Sequence, residues 1–211
     1  MSRFWQSFNT RYNVYFNASQ AYIEGDKAKE NIHKDDYTKM LPVFLVGNKA
    51  SQNTGKGNYE TAITKCQKAI SLHSIKRRPV VNAGKQKNAK TKAYLQRKEY
   101  NPFLKNAWLM MGRAQFQKGD FLEAAATFSY ITRLYAAEPV VANEARQWMA
   151  RCYVLEKWYY DADDALKRMR RDTMNTRTKQ EADATQAALL LGQERYAEAI
   201  PYLQRAARSA K

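Results

Sequence analysis

The residues best suited to chemistry are few, and their spacing limits what they can do. His33, His73, Cys66 and Cys152 are the only histidines and cysteines of the chain. No two of them lie three or four residues apart, the separation that places two ligands on one face of a helix. Two cysteines are too few for a disulfide framework, although a single bridge is compatible with the sequence. We therefore predict no metal and no cofactor, and we expect both cysteines to be small core residues.

Catalytic arrangements are not evident either. A nucleophilic triad needs a Ser, Cys or His beside a base and an orienting group, and the sequence gives no support for such a set. The carboxylate pairs Asp35-Asp36 and Asp163-Asp164 are adjacent residues, which diverge on a helix and are typical of solvated or capping positions. We predict that the protein is not an enzyme; the alternative would require activity from residues that we interpret as structural.

The segment GNKASQNTGKGN, residues 47–58, has the glycines and lysines of a phosphate-binding loop. It also follows VFLV, a run that could form a strand. The spacing is wrong, because the pattern G-x4-G-K-[ST] ending at Gly55 and Lys56 requires glycine at position 50 and serine or threonine at position 57. The chain has Ala50 and Gly57 there. We interpret this segment as a flexible loop between helices.

The composition is that of a globular, helical protein. The 211 residues are 45% apolar, enough for the core of one domain or a short array. Only 8 glycines and 5 prolines favour helices over a sheet. The apolar run LPVFLVG is shorter than a membrane span and the N-terminal residues do not resemble an export signal, so we expect a soluble chain. The formal charge of +16 indicates acidic partners, without choosing among nucleic acid, anionic lipid and protein.

Helical spacing predicts a single helical-repeat domain over residues 1–211. Aromatic and apolar residues at three- and four-residue intervals predict a first helix over residues 12–23, closed by Gly25 and Asp26. A second helix is predicted over residues 59–73. The domain divides into residues 1–75, with the N-terminal helices and first repeat half, a basic insertion at 76–98, and consecutive repeats over 99–211.

Three later segments repeat one pattern. Each has an aromatic residue, an alanine three positions later and a large apolar residue four positions after the alanine. The alanines are separated by 38 and 37 residues, close to the 34-residue period of a helix-turn-helix repeat. The three sets are Phe121, Ala124 and Phe128; Tyr159, Ala162 and Leu166; and Tyr196, Ala199 and Leu203. An earlier copy consists of Tyr59, Ala62, Cys66 and Ala69.

The first set and the helix before it resemble the tetratricopeptide pattern W-x2-L-G-x2-Y…A-x3-F. Trp108, Met111 and Gly112 stand at its W, L and G, and Ala124 and Phe128 stand at its A and F. Glycine within a helix costs about 1 kcal/mol relative to alanine, so we expect Gly112 to allow close packing against the Ala124 region. The resemblance implies an all-α fold of tetratricopeptide-like helical hairpin repeats that form a right-handed superhelical array.

Longer phrases of the sequence resemble one family. They are RYNVYFNASQAYIEG, DDYTKMLPVF, RKEYNPFLKNAWLMMGRAQFQKGDFLEAAATFSYITRLY and ARCYVLEKWYYDADDALKRM. In this order they are similar to the N-terminal part of the tetratricopeptide lipoprotein family of the type IX secretion and gliding machinery of Bacteroidota, called PorW or SprE. The resemblance covers nearly the whole chain.

Similarity to that family implies a non-catalytic scaffold for protein–protein interaction. It implies a location in the periplasm at the outer membrane, protein partners in the periplasmic ring or among outer-membrane components, and no small-molecule substrate. Family members are longer and are attached to the membrane through a lipid anchor on a cysteine, whereas no cysteine precedes Cys66 here. A fragment of such a lipoprotein would explain both differences.

The basic insertion is the candidate partner-binding segment. Residues 76–98 contain nine Lys or Arg and no acidic residue, a composition that disfavours a packed core. One interpretation is a solvated loop, and the other is a contact with an acidic partner surface. The candidate residues are Lys76, Arg77, Arg78, Lys85, Lys87, Lys90 and Lys92.

An aromatic stripe of Tyr12, Tyr15, Phe16 and Tyr22 has helical spacing, which is typical of a core more often than of a surface that stacks bases or holds a peptide. Our leading hypothesis is therefore a protein-binding scaffold. The alternative hypothesis is a helical-repeat protein that binds nucleic acid through residues 76–98. In that case log K would fall linearly with log salt concentration.

Overall fold

A computed structural model describes residues 3–38, 40–47, 49–82, 84, 88–171 and 173–209. Helices dominate these residues and no strand forms among them, so the predicted all-α class is confirmed. The N-terminal elements are α1 (Arg3–Asn9), a π-helical segment (Thr10–Tyr15), α2 (Phe16–Ile32), a 3-10 turn (Leu45–Gly47), α3 (Lys49–Asn53), α4 (Lys56–His73) and α5 (Ala89–Leu95). The later helices are α6 (Leu104–Lys118), α7 (Phe121–Leu134), α8 (Pro139–Leu155), α9 (Tyr159–Met169), α10 (Thr176–Gly192) and α11 (Tyr196–Ser209).

The first long helix continues past its predicted end. The prediction of a helix stop at Gly25 and Asp26 is wrong, because α2 runs on to Ile32. Gly25 lies against Tyr59 of α4, and a Cβ atom on Gly25 would approach that ring to 2.8 Å. Asp26 accepts a hydrogen bond of 2.7 Å from the Tyr59 hydroxyl. Glycine is used here for its small size at a helix crossing, and the helix does not end.

Three connections between helices have the same backbone structure. The turns α6–α7, α8–α9 and α10–α11 each contain one residue with a left-handed backbone: Gly119 (φ 93°), Lys157 (φ 61°) and Glu194 (φ 61°). In each turn the next residue donates its backbone N–H to the carbonyl five residues earlier, as in a Schellman motif. These hydrogen bonds run from Asp120 to Gln115, from Trp158 to Tyr153 and from Arg195 to Leu190, at 3.0, 2.8 and 2.9 Å. The sequence repeat is therefore also a repeat of local structure.

The repeated alanines lie at helix contacts. Ala124, Ala162 and Ala199 are all fully buried. Gly112 of α6 lies against Phe128 of α7, one turn beyond Ala124, and a Cβ atom on Gly112 would come within 2.7 Å of that ring. Helix axes approach closely only where the side chains between them are small. Gly112 therefore lies in close contact with α7, as expected, but the contact is with the Phe128 ring and not with Ala124 itself.

The helices pack mainly on their neighbours along the chain. From α6 to α11 each helix contacts the next, α8 also contacts α10, and α4 packs on both α2 and α6. Two of the apolar cores lie on either side of α6. The central core, between α6, α7 and α8, contains Phe128 and Trp148, whereas the N-terminal core, between α2, α4 and α6, contains Tyr59 and Cys66. The α6 helix belongs to both cores and joins the two halves.

The aromatic stripe is only partly buried. Tyr15 and Tyr22 are half-buried, as predicted, whereas Tyr12 is 58% exposed and Phe16 is 54% exposed. The core prediction is wrong for these two rings. The buried face of α2 includes small residues such as Ala18, which let α2 approach α4 closely. The larger rings of Tyr12 and Phe16 lie outside that contact.

Candidate functional site

The basic insertion leaves and rejoins the fold at one point. Glu99 is 3% exposed, and its carboxylate accepts hydrogen bonds from the backbone N–H groups of Ile75 and Asn101, both at 2.8 Å. The same carboxylate accepts a hydrogen bond from the Ser74 hydroxyl at 2.6 Å. The Tyr100 N–H donates to the Ile75 carbonyl at 2.9 Å. The two ends of the insertion are therefore fixed to each other.

The predicted binding residues are exposed wherever the structure describes them. The exposed residues are Lys76, Arg77, Arg78, Lys90 and Lys92. Lys85 and Lys87 lie outside the described residues. Asn88 starts α5 by accepting a hydrogen bond from the Lys90 N–H at 2.9 Å. The five described candidate residues are thus spread over an exposed segment and the short helix α5.

A second candidate site is the surface formed by α6, α8 and α10, which we call the groove. Arg113 of α6 forms an ion pair with Glu144 of α8. Arg151 of α8 lies 3.7 Å from the carboxylate of Glu181 of α10. Trp148 contacts both arginines, whose guanidinium carbons lie 5.2 and 4.3 Å from its ring centroid. Two charged pairs and the buried Trp148 therefore connect the three helices.

Arg151 is the most buried charge of the groove. Burial lowers the pKa of Arg151 to about 10, and the Glu181 carboxylate acts in the opposite direction. The guanidinium therefore keeps its charge at neutral pH. Its Nε donates to the Thr185 hydroxyl at 3.3 Å, and its carbon lies 4.9 Å from the ring centroid of Phe44. A guanidinium held against Trp148 is suited to bind a second aromatic side chain, and in this structure that side chain is Phe44.

Residues 40–47, which we call the strap, lie in the groove. Val46 is 1% exposed and belongs to the central core. The Phe44 ring meets Phe116 edge-on, with centroids 6.2 Å apart, and Gln52 Nε2 donates to the Val46 carbonyl at 3.1 Å. The strand considered for VFLV does not form; the strap is irregular and ends in the 3-10 turn. Its side chains pack on helices, and among the described residues no strand exists for its backbone to pair with.

A polar cavity of about 210 Å³ lies where the strap meets α2, α6 and α8. Lys29 lines it, is 5% exposed and donates to the backbone carbonyl of Gln117. Its ammonium nitrogen also lies 4.9 Å from the ring centroid of Tyr59. Burial lowers the pKa of Lys29 to about 8, and the Asp26 carboxylate partly offsets this effect. Lys29 therefore connects α2 to α6, although its burial disfavours the charged ammonium.

The cysteines and histidines are dispersed. Cys66 and Cys152 are free and fully buried, which confirms their predicted place in the core. Burial raises the pKa of Cys66 to about 12 and raises the pKa of Cys152 as well. His33 follows α2 and His73 ends α4. Among the described residues, no group of three or more His, Cys, Asp or Glu side chains could hold a metal ion.

Sequence analysis does not identify the groove. Glu144, Trp148 and Arg151 are four and three residues apart, which places them on one face of α8. That spacing of a carboxylate, an indole and a guanidinium is the signal that could have indicated a binding surface. The strap gives a weaker signal, because an apolar run does not specify which helices it will contact.

The sequence matches no protein-family model and no curated protein. Within the described ranges, none of the helices combines the length with the apolar character that crossing a bilayer requires. The basis for a function is therefore the geometry of the groove and of the basic loop.

Proposed function

We propose that the protein is a non-catalytic scaffold that binds other proteins, built from helical hairpins of the tetratricopeptide type stacked in a right-handed superhelix. The three equivalent turns at Gly119, Lys157 and Glu194 support the repeat. The observation that carries the binding role is the groove, which already holds the strap through Phe44 and Val46. Stacked hairpins present extended surfaces, and a surface that packs an irregular segment of its own chain has the shape to hold a peptide.

The resemblance to the PorW and SprE family supplies the cellular setting of this proposal. On that basis the protein acts in the periplasm at the outer membrane. Its partners are proteins of the type IX secretion and gliding machinery, either the periplasmic ring or outer-membrane components. The net charge of +16 favours partners with acidic surfaces.

Site-specific crosslinking tests this function. A photoreactive amino acid replaces Tyr37, which is 82% exposed just before the strap. The matched control carries the same amino acid at Tyr160, which is 86% exposed on α9. After irradiation in cells that contain the secretion machinery, we expect the Tyr37 chain to capture its envelope components and the Tyr160 chain to capture fewer. Capture of cytosolic proteins or nucleic acid would contradict the proposed setting.

Nucleic-acid binding is the second candidate function, and the exposed cations of residues 76–98 favour it. If it is correct, fluorescence anisotropy with a labelled oligonucleotide will show log K falling linearly with log salt concentration. Glutamine at positions 76, 77 and 78 will then reduce that slope. Glutamine at Lys167 and Arg168, which already pair with Asp residues four positions earlier, is the matched control. A flat titration at low salt rejects this candidate.

A further inference from the structure

The strap crosses helices that are distant from it in sequence. Its first part, Met40 to Phe44, lines an apolar cavity of about 190 Å³ together with Val154 and Leu155 of α8 and Leu191 of α10. Its second part lines the polar cavity beside α2, α6 and α8. The strap therefore spans the groove from α10 to α6, across the C-terminal portions of these helices.

The two ends of the strap are held unequally. At the C-terminal end, Val46 is buried and its carbonyl accepts a hydrogen bond from Gln52. At the N-terminal end, Met40 is 63% exposed and Leu41 is 39% exposed, and Tyr37 just before them is 82% exposed. Local opening begins where few apolar contacts hold the chain. If the strap opens locally, we therefore expect the opening to begin at Met40.

Phe44 connects the strap to the charged centre of the groove. Its ring packs edge-on against Phe116, and the Arg151 guanidinium lies 4.9 Å from its centroid. Arg151 is also held by Trp148 at 4.3 Å and by Glu181 at 3.7 Å, and neither contact involves the strap. The pocket for an aromatic ring is therefore fixed by residues of the helices themselves.

We infer that the groove binds an extended apolar segment of a partner protein that carries an aromatic residue, and that the strap occupies this site until the partner displaces it. The strap is the occupant present in the structure, so the partner segment shares its chemistry: apolar side chains on both sides of one ring, as from Leu41 to Val46. This inference rests on the proposed scaffold function. Beyond that function, it specifies the chemistry of the partner segment and identifies the strap as a competitor within the same chain.

A segment of the same chain that occupies a binding site raises the apparent Kd of every partner that competes for that site. A segment on a short tether has an effective concentration on the order of millimolar. The apparent Kd of the partner equals its intrinsic Kd divided by the fraction of molecules whose strap has left the groove. If the strap has left in about one molecule in a hundred, partner binding is weakened about a hundredfold. A change that loosens the strap and leaves the groove intact should therefore strengthen partner binding.

Binding of the strap's own sequence to the full chain tests the inference. The probe is a fluorescent synthetic peptide of residues 38–47, TKMLPVFLVG, and anisotropy gives its Kd. Phe44→Ala in the protein removes the ring that holds the strap. Tyr37→Ala removes an exposed aromatic side chain next to the strap and is the matched control. We expect Phe44→Ala to bind the peptide about tenfold more tightly than the unmodified chain, and Tyr37→Ala to bind it like the unmodified chain.

Two further measurements locate the binding. A peptide with Ala in place of its Phe should bind the Phe44→Ala protein about tenfold more weakly than the parent peptide. Adding Leu191→Ser, in the apolar cavity beside the strap, to Phe44→Ala should also weaken peptide binding. Circular dichroism checks that each variant stays folded. Phe44→Leu, which keeps an apolar side chain without a ring, replaces Phe44→Ala if that variant loses its helical signal.

Three results overturn the inference. They are no peptide binding to any folded variant, equal affinity for the unmodified and Phe44→Ala chains, and affinity that does not depend on the phenylalanine of the peptide. Any of these would make the strap a permanent part of the core. The scaffold function would stand in that case, because its crosslinking test does not depend on strap release.

Discussion

Two of the helix crossings in this protein place a glycine against an aromatic ring but differ in their surroundings. Gly112 of α6 lies against Phe128 of α7, and Gly25 of α2 lies against Tyr59 of α4; a Cβ atom would come within 2.7 Å of the ring at the first and 2.8 Å at the second. Phe128 is surrounded by the apolar residues of the central core. The Tyr59 hydroxyl, by contrast, donates to the Asp26 carboxylate. We call these the apolar crossing and the polar crossing.

The comparison shows that one residue determines how closely two helices approach, and that other residues determine whether their contact is polar. At both crossings a glycine lets a ring reach the neighbouring helix. At the polar crossing burial raises the pKa of Tyr59 and of Asp26, and it lowers the pKa of Lys29 to about 8. A group whose pKa changes on folding makes stability depend on pH. We therefore expect the polar crossing, and not the apolar one, to respond to pH.

The largest effect is expected at the apolar crossing. Gly112→Leu should lower the free energy of unfolding by about 3 kcal/mol, because the new side chain overlaps the Phe128 ring inside a packed core. Urea denaturation followed by circular dichroism measures the loss. Gly57→Leu is the matched control, since a Cβ on Gly57 of α4 meets nothing within 4 Å and should change stability by no more than about 1 kcal/mol. Equal losses for the two variants would show that the crossing at Gly112 is not tight.

A smaller loss is expected for Gly25→Ala at the polar crossing. The added methyl group would meet the Cζ and Cε1 atoms of Tyr59 at 2.8 and 2.9 Å, so the ring must move away from Asp26. We expect a loss of about 2 kcal/mol after allowing for the better helix propensity of alanine. The same denaturation experiment measures it, with Gly57→Ala as control. A more stable Gly25→Ala variant would mean that this glycine serves no contact.

Removing the Tyr59 hydroxyl tests the hydrogen bond at the polar crossing without changing how closely the two helices approach. Tyr59→Phe keeps the ring at the crossing but deletes the 2.7 Å hydrogen bond to Asp26, and we expect a loss of about 1.5 kcal/mol because the acceptor is a partly buried carboxylate. Tyr160→Phe, at a residue that is 86% exposed, should leave the unfolding midpoint unchanged. If the two variants behave alike, the hydrogen bond contributes nothing to the crossing.

The smallest effect is a pH dependence due to Lys29. In the folded protein this lysine loses its proton at a pKa of about 8, below its usual value of 10.5, so between these values the unfolded chain binds more protons. The free energy of unfolding therefore rises with pH in that window. From about pH 7 to about pH 9 we expect the unmodified chain to gain about 1 kcal/mol relative to Lys29→Met, measured by urea denaturation at each pH. Parallel pH profiles would exclude this role for Lys29.

Local pattern predicts part of this architecture well. The burial of Ala124, Ala162 and Ala199 follows from a motif that occurs three times, because each copy supports the alignment of the others. Gly25 occurs outside those three copies, and a glycine followed by an aspartate is equally typical of a helix end. What decides its role is Tyr59 in another helix, which the local sequence does not reveal.

The binding surfaces are harder to predict, because their parts come from distant positions. The groove needs Phe44 from the strap, Arg151 from α8 and Glu181 from α10. Composition correctly predicts that the five described candidate cations of the basic insertion are exposed, since a segment dense in like charges stays in solvent. It does not predict how the two ends of that segment are joined, which involves the buried carboxylate of Glu99 and the backbone hydrogen bond from Tyr100 to Ile75.

The two free cysteines give each core its own chemical reporter. Cys66 belongs to the N-terminal core and Cys152 to the central core, and both are fully buried. A thiol reagent can reach either sulfur only when the surrounding helices separate, so the labelling rate of each cysteine measures the opening of one core. Mass spectrometry of labelled peptides could therefore follow the two halves of the molecule loosening independently, without any engineered probe.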